Sequence, residues 1–235
     1  MADQNKGMSD LWRRLRFVFM AIVVYRLGTH IPIPGIDPAR LAALFDQNQG
    51  TILEMFNLFS GGALERMSIF ALNVVPYISS AIIMQLFSNS IPYLQELKKD
   101  GQAGRNQITQ YTRYGTVVLA FIQASALAVT LGASGLAYEP GTSFFISAVF
   151  SVVAGTIFLM WLGELISERG IGNGISIIIA TSILTGIPGA IGQALEQARQ
   201  GDLNILLLIG IGVIAMLVIA VVVFIERGQR RITVN

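Results

Sequence analysis

Long apolar runs alternate with short polar stretches along this chain. Six runs can be marked: Leu15 to Ile36, Met67 to Phe87, Tyr114 to Leu131, Phe144 to Ile166, Ile171 to Ile191 and Leu203 to Ile225. The last is the cleanest, with 23 uncharged residues. At about 1.5 Å per residue these reach about 34 Å as a helix, enough for a hydrocarbon core of roughly 30 Å. The pattern predicts an all-α protein, a polytopic transmembrane helix bundle of about six spans. Two runs are irregular. The second follows "FSGGALER" and contains Asn73 and Pro76. Proline lacks an N–H and disturbs the carbonyl four residues earlier, here that of Leu72, so a kinked or broken helix is expected. Lipid does not tolerate freed backbone groups, and such a break therefore faces protein or a water-lined cavity. The fifth run carries Gly186, Pro188, Gly189 and Gly192, which predict an irregular outer end.

Composition agrees with the pattern. Of 235 residues, 53% are hydrophobic and 13% charged, and mean hydropathy is +0.63. Soluble domains average about 25% charged residues. Arg13, Arg14 and Arg16 ahead of Phe17 to Tyr25 imitate a signal peptide, but Arg26 and "IPIPGIDP" follow where a small-residue cleavage site would stand. The run is read as an uncleaved first span. Cationic residues orient the bundle, because they concentrate in short cytoplasmic loops. A cytoplasmic N-terminus places Lys6, Arg13, Arg14, Arg16, Lys98, Lys99, Arg105, Arg113, Arg169, Arg227, Arg230 and Arg231 inside. Only Arg40, Arg66 and Arg199 fall outside, with Arg26 near the end of the first span. An even number of spans returns the C-terminus, with "ERGQRRI", to the cytoplasm.

Candidate chemistry is sparse. There is no cysteine, and the one histidine, His30, cannot build a ligand cluster alone, so no metal, cofactor or thiolate chemistry is expected. With no paired central carboxylates, neither an intramembrane enzyme nor an ion-coupled transporter finds its groups: Arg26 lies in the outer part of its span and Glu164 near the inner end of the fourth. The stretch "ERGIGNGISIII", Glu168 to Ile179, carries G-x-G-x-G between two apolar runs. It lacks the strand context of a dinucleotide fingerprint and the Gly-Lys-Ser/Thr end of a Walker loop. A tight cytoplasmic turn is the better reading. Ile175 and Ile179 beyond it are four apart, as are Val74 and Ile78 in the second run, so each pair shares one helix face.

Five stretches carry a resemblance: "IPIPGID" (31–37), "FSGGALER" (59–66), "QYTRYGT" (110–116), "MWLGELISERGIGNGISIII" (160–179) and "ERGQRRI" (226–232). Through them almost the whole chain resembles the N-terminal half of SecY, the channel family of the bacterial Sec translocon. The resemblance implies a half clamshell with a broken second helix: residues 1–14 as a cytoplasmic segment, 15–192 as the first half with spans one to five, and 193–235 as the sixth span and the start of a cytoplasmic loop. The C-terminal half of the pore wall is missing, which leaves open a fragment or a separately supplied partner half. It further implies a protein-conducting channel subunit without enzymatic activity in the bacterial cytoplasmic membrane, for translocation of secretory chains and lateral insertion of membrane segments. A secondary transporter and a non-conducting scaffold are the alternatives.

Family roles follow by position. Val74, Ile78, Ile175 and Ile179 match the hydrophobic pore ring. Residues 57–72 match a short plug helix, with Ser60, Gly61, Gly62, Ala63 and Leu64 at its flexible start. The stretch 77–87 matches one side of the lateral gate, and Ser79, Ser80 and Gln85 there, with Gln123 in the third span, are candidate gating residues. Their competing role is plain helix-to-helix hydrogen bonding. Lys98, Lys99, Arg105, Arg227, Arg230 and Arg231 match loops that face the ribosome or SecA, where arginines would meet RNA phosphate. Implied partners are SecE, SecG, SecA, the ribosome, the translocating polypeptide with its signal sequence, and the lipid bilayer.

Overall fold

A computed structural model describes residues 2–47, 57, 60–200 and 205–227. Its regular elements are helices: α1 (Ala2–Gly28), α2 (Pro38–Gln47), α3 (Val75–Ser90), α4 (Pro92–Lys99), α5 (Gly101–Ala133), α6 (Thr142–Arg169), α7 (Gly174–Gln200) and α8 (Ile205–Glu226). Among the described residues the extended pairings are two isolated bridges, Pro32 with Ser68 and Ile36 with Ala137. The all-helical expectation holds.

By length and composition four helices can cross a membrane, over residues 101–133, 142–169, 174–192 and 209–226. The other two expected spans differ in kind. The first was expected over Leu15 to Ile36, yet α1 starts at Ala2 and ends at Gly28. Its apolar part is flanked by Arg16 and Arg26, and Pro32 and Pro34 remove the N–H groups that would prolong it. The second was expected from Met67, but residues 61–74 form successive turns and α3 has only 16 residues. Nor does Pro76 orphan the Leu72 carbonyl: it stands in the first turn of α3, where a missing N–H costs nothing, and Val75 N–H donates to Leu72 O at 3.3 Å. The break therefore precedes the proline. It is made by Asn73, whose φ of +49° is a left-handed conformation that asparagine tolerates.

Backbone groups in the turns find partners in the segment after α1. Ile33 N–H donates to Met67 O at 2.8 Å, and Ile69 N–H to Ile31 O at 3.0 Å. Further along, Asp37 N–H donates to Leu136 O at 2.8 Å, and Tyr138 N–H to Gly35 O at 3.0 Å, which ties the start of α2 to the end of α5. Asp37 also caps α2, accepting from Ala39 N–H at 3.0 Å through Oδ1. Phe70, in the turns, stacks between Tyr25 of α1 and Phe158 of α6, with centroids 5.9 Å apart on each side.

One of two apolar clusters lies largely between α5 and α6, and the other joins α1, the turns, α6 and α7. Thr112, Thr116, Ala120, Ala124 and Ala128 recur every fourth residue along α5 and are all buried. Ala148, Val149, Val152, Val153, Gly155 and Thr156 are the buried residues of the middle of α6. Apolar attraction between helices is weak in lipid, so association depends on close packing, which small side chains permit. Gly155 of α6 shows the same closeness against the turns: an added Cβ would collide with the Ile69 carbonyl. Residues 1–186 form one compact unit and 187–235 another. α7 runs unbroken through Pro188, so the expected irregular outer end is not found up to Gln200. In the second unit, the side chains of α8 from Ile211 to Glu226 other than Gly212 include exposed Met216 and Phe224, a surface suited to lipid or apolar protein.

Gly155→Ala should destabilise the protein by about 1–3 kcal/mol, the usual effect of overpacking. Gly132→Ala, with nothing within 4 Å of the added carbon, should leave stability unchanged or raise it. Denaturant unfolding of the two variants in micelles checks the difference.

Candidate channel constriction

The glycine turn of residues 170–174 joins α6 to α7 and sets where Ile175 and Ile179 project. Gly174 packs so closely on α6 that an added Cβ would collide with the Gly163 carbonyl. Its N–H donates to Ser167 Oγ at 2.8 Å, and Ser167 in turn donates to Gly163 O at 2.9 Å. Asn173 opens α7 as a cap, its Oδ1 accepting from Ile175 N–H at 3.0 Å and Ser176 N–H at 3.3 Å. The Gly174 contacts join the two helices and Asn173 starts the second of them, which fits a tight turn.

Val74, Ile78, Ile175 and Ile179 all belong to one apolar cluster with Tyr25, Phe70, Leu159, Leu162, Ile166 and Ile178. Their surroundings differ. Val74 is 2% exposed and packed into the interior. Ile78, Ile175 and Ile179 are half-buried and line an open cleft of about 620 Å³ between α3, α5, α6 and α7. The cleft also takes in Tyr77, Gln85, Asn106, Arg113, Glu164 and Asn173. One part of its wall is therefore aliphatic and another polar. Arg113 Nε donates to Glu164 Oε1 at 2.8 Å, an ion pair that joins α5 to α6 within the cleft. No pattern along the chain announced this pair, whose members are 51 residues apart.

The four residues expected along the lateral gate do not form one group. Ser80 is buried, and its hydroxyl donates to Thr112 O of α5 at 2.8 Å. Gln85 lines the large cleft, while Gln123 lines a separate cavity of about 340 Å³ together with Ser60, Leu64, Leu72 and Asn73. Ser79 is half-buried. For Ser80 the geometry is that of a helix-to-helix bond.

In the stretch expected to be the plug, a helix was expected over 57–72, and residues 61–72 form turns instead; Leu58 and Phe59 lie outside the described residues. Asn57 holds the stretch together, donating from Nδ2 to Glu65 Oε2 at 2.9 Å and accepting from Glu65 N–H at 3.0 Å. Ser60 Oγ accepts from Leu64 N–H at 3.1 Å. Ala63 is buried in the cluster that holds Val74. Gly61 lies against α7, and its φ of +66° suits glycine; Arg26 donates to its carbonyl at 3.0 Å. Gly62 follows in the next turn.

Of the basic residues, Lys98 and Lys99 end α4, with Lys98 Nζ donating to Asn89 Oδ1 at 3.2 Å. Arg105 is exposed near the start of α5, and Arg227 is exposed after α8. Arg230 and Arg231 lie outside the described residues.

The SecY family model matches residues 68–235 of this chain. The chain belongs to the SecY family. A protein translocase subunit SecY from Pseudomonas aeruginosa is 62% identical, the match covering 100% of this chain and 53% of that protein. The namesake from Escherichia coli K12 is 57% identical over 97% of this chain and 53% of its own length. The chain thus spans about half the length of the SecY relatives it matches. Among solved structures, Sec61 in the canine ribosome-channel complex from the endoplasmic reticulum superposes with a TM-score of 0.65 at 20% identity, covering 95% of this chain and 50% of that one. A structure described as that of a protein conducting channel gives 0.58 at 20% identity, covering 83% and 43%. The SecY-like helical fold is therefore shared well beyond close relatives, and the chain is a multi-pass membrane protein.

Ser80→Ala should cost about 0.6–1.5 kcal/mol of stability, the worth of one helix-to-helix hydrogen bond. Gln85→Ala, at the cleft surface, should cost less than 0.5 kcal/mol, on the order expected away from the core. Unfolding in micelles compares them.

Proposed function

We propose that the chain forms the first half of the wall of a protein-conducting channel, which passes secretory chains across the bacterial cytoplasmic membrane and releases apolar segments sideways into lipid. The observation that carries this reading is the convergence of Ile78, Ile175 and Ile179 on one open cleft with Val74 packed behind them. Membership of the SecY family supports it. Aliphatic side chains around a narrow passage expel water and so impede ions, yet they yield to a polypeptide because they make no directional bond with it. The polar part of the cleft keeps an approaching chain hydrated up to that point.

In this reading the stretch from Asn57 to Leu72 is the plug, and Ser79, Ser80, Gln85 and Gln123 lie along the gate side. Both termini face the cytoplasm, where Lys98, Lys99, Arg105, Arg227, Arg230 and Arg231 meet SecA or ribosomal RNA. The second half of the wall completes the pore, SecE clamps the halves and SecG lies at the periphery. No bond is made or broken by the subunit, and direction comes from the motor or the ribosome.

The chain has no cysteine, which makes a direct test available. A single cysteine at Ile78 or Ile179, in the assembled translocon with a secretory chain stalled midway, should form a disulfide with a cysteine in that chain. A cysteine at Met216 of α8, 73% exposed, should not. Absence of crosslinks at both cleft positions, with the substrate engaged, would leave a scaffold role instead.

A further inference from the structure

Four buried polar groups meet inside the apolar cluster, each from a different part of the chain. Ser182 of α7 is 0% exposed, Tyr25 of α1 1%, Ser60 of the plug stretch 4% and Asn73 of the break 5%. The Tyr25 and Ser182 hydroxyls lie 2.6 Å apart. Asn73 Nδ2 donates to Ser182 Oγ at 3.2 Å, and the Tyr25 hydroxyl reaches Ser60 O at 3.3 Å. Ser182 Oγ is also 2.9 Å from Ile178 O, one helical turn back. Around them stand Val74, Ile178 and Phe70 of the same cluster.

We propose that the Ser182 hydroxyl is the node of a polar clasp that positions the break before α3 and the start of the plug stretch against α1 and α7, holding the constriction shut. The proposal rests on the channel reading above. Its warrant is the proton count. A hydroxyl has one proton and two lone pairs. If Ser182 donates to Tyr25, Tyr25 can donate onward to Ser60 O, and Asn73 completes Ser182 as donor. That arrangement is one continuous chain from the break to the plug stretch, Asn73 to Ser182 to Tyr25 to Ser60. If Ser182 instead donates to Ile178 O, both Tyr25 and Asn73 donate into its lone pairs. Either way Ser182 joins α7 to both the break and α1.

Position gives the clasp its consequence. Asn73 precedes Val74, and Ser182 follows Ile179 by three residues on α7. Gly61 presses on the same turn of α7, where an added Cβ would stand 3.0 Å from the Ser182 carbonyl. Displacing residues 60–74 would break the bonds of Asn73 to Ser182 and of Tyr25 to Ser60 inside an apolar lining while Tyr25 and Ser182 stay paired with each other, and losing buried hydrogen bonds without replacement is unfavourable. The open state becomes acceptable once water or the backbone of an entering polypeptide replaces those partners. Tyr25, Ser182 and Asn73 are thus positioning residues that couple opening to occupancy.

The test uses the assembled channel in proteoliposomes and reads resting ion conductance without a polypeptide, alongside translocation of a secretory chain. Tyr25→Phe keeps the ring on Phe70 and removes one hydroxyl; Ser182→Ala removes the node. Each should raise resting conductance roughly 3- to 10-fold, the range for losing one buried hydrogen bond. The double variant should exceed the larger single effect by less than about 2-fold, because coupled residues are not additive. Maximal translocation by Tyr25→Phe should match the parent, which a general folding defect would not allow. If Ser182→Ala does not assemble, Asn73→Gly, which keeps the left-handed backbone, takes its place beside Tyr25→Phe. Unchanged resting conductance, or effects that multiply in the double variant, would overturn the clasp while crosslinks at Ile78 left the channel reading standing. Loss of those crosslinks in the parent would overturn both.

Discussion

A backbone that leaves the helical path inside an apolar surrounding must still satisfy its N–H and C=O groups, and the rest of this structure depends on how residues 61–74 do so. They use short-range turns among themselves and two ladder-like bonds to the segment after α1, at Ile33 to Met67 and Ile69 to Ile31. The prolines of "IPIPG" serve the same end from the other side, since they stop α1 and leave an extended stretch with groups to offer. Phe70, between Tyr25 and Phe158, then fixes the turns to α1 and α6 by ring packing. A break in a span is thereby tolerated, and α3 can begin afresh at Val75 with Pro76 in its first turn.

Close approach is the second constraint, and it follows from the first. The break can lie against α6 only because Gly155 has no side chain to meet the Ile69 carbonyl, and α7 can turn back on α6 only because Gly174 has none to meet Gly163. The α5 row of Thr112, Thr116, Ala120, Ala124 and Ala128 extends the same principle along a whole helix face. Polar side chains enter where two backbones are already close. Ser80 to Thr112, Ser167 to Gly174 and Ser182 to Tyr25 each bridge two parts of the chain.

The cleft takes its character from these joints. α3 is held to α5 through Ser80, α5 to α6 through Arg113 and Glu164, and α6 to α7 through the glycine turn. Ile78, Ile175 and Ile179 line the cleft from two of those helices without bonding to one another. An aliphatic wall carried on hydrogen-bonded supports can part without losing directional contacts of its own.

The helical class and the apolar runs were legible in the sequence, because hydropathy is a property of single residues read in order; a break in the second run was expected too, but from a proline effect that the structure does not show. The SecY resemblance was legible as well, carried by the motifs "IPIPGID" through "ERGQRRI". The start of the break at Asn73 rather than at the proline was only half legible: asparagine permits a left-handed φ but does not demand it. The cap at Asn173 left a signal that the glycines around it obscured. What tertiary structure alone decided are the meetings of Arg113 with Glu164 across 51 residues and of Tyr25 with Ser182 across 157. Such pairs depend on the rotation of each helix about its axis and on which helices become neighbours. Packing sets both, and no local pattern of residues encodes them.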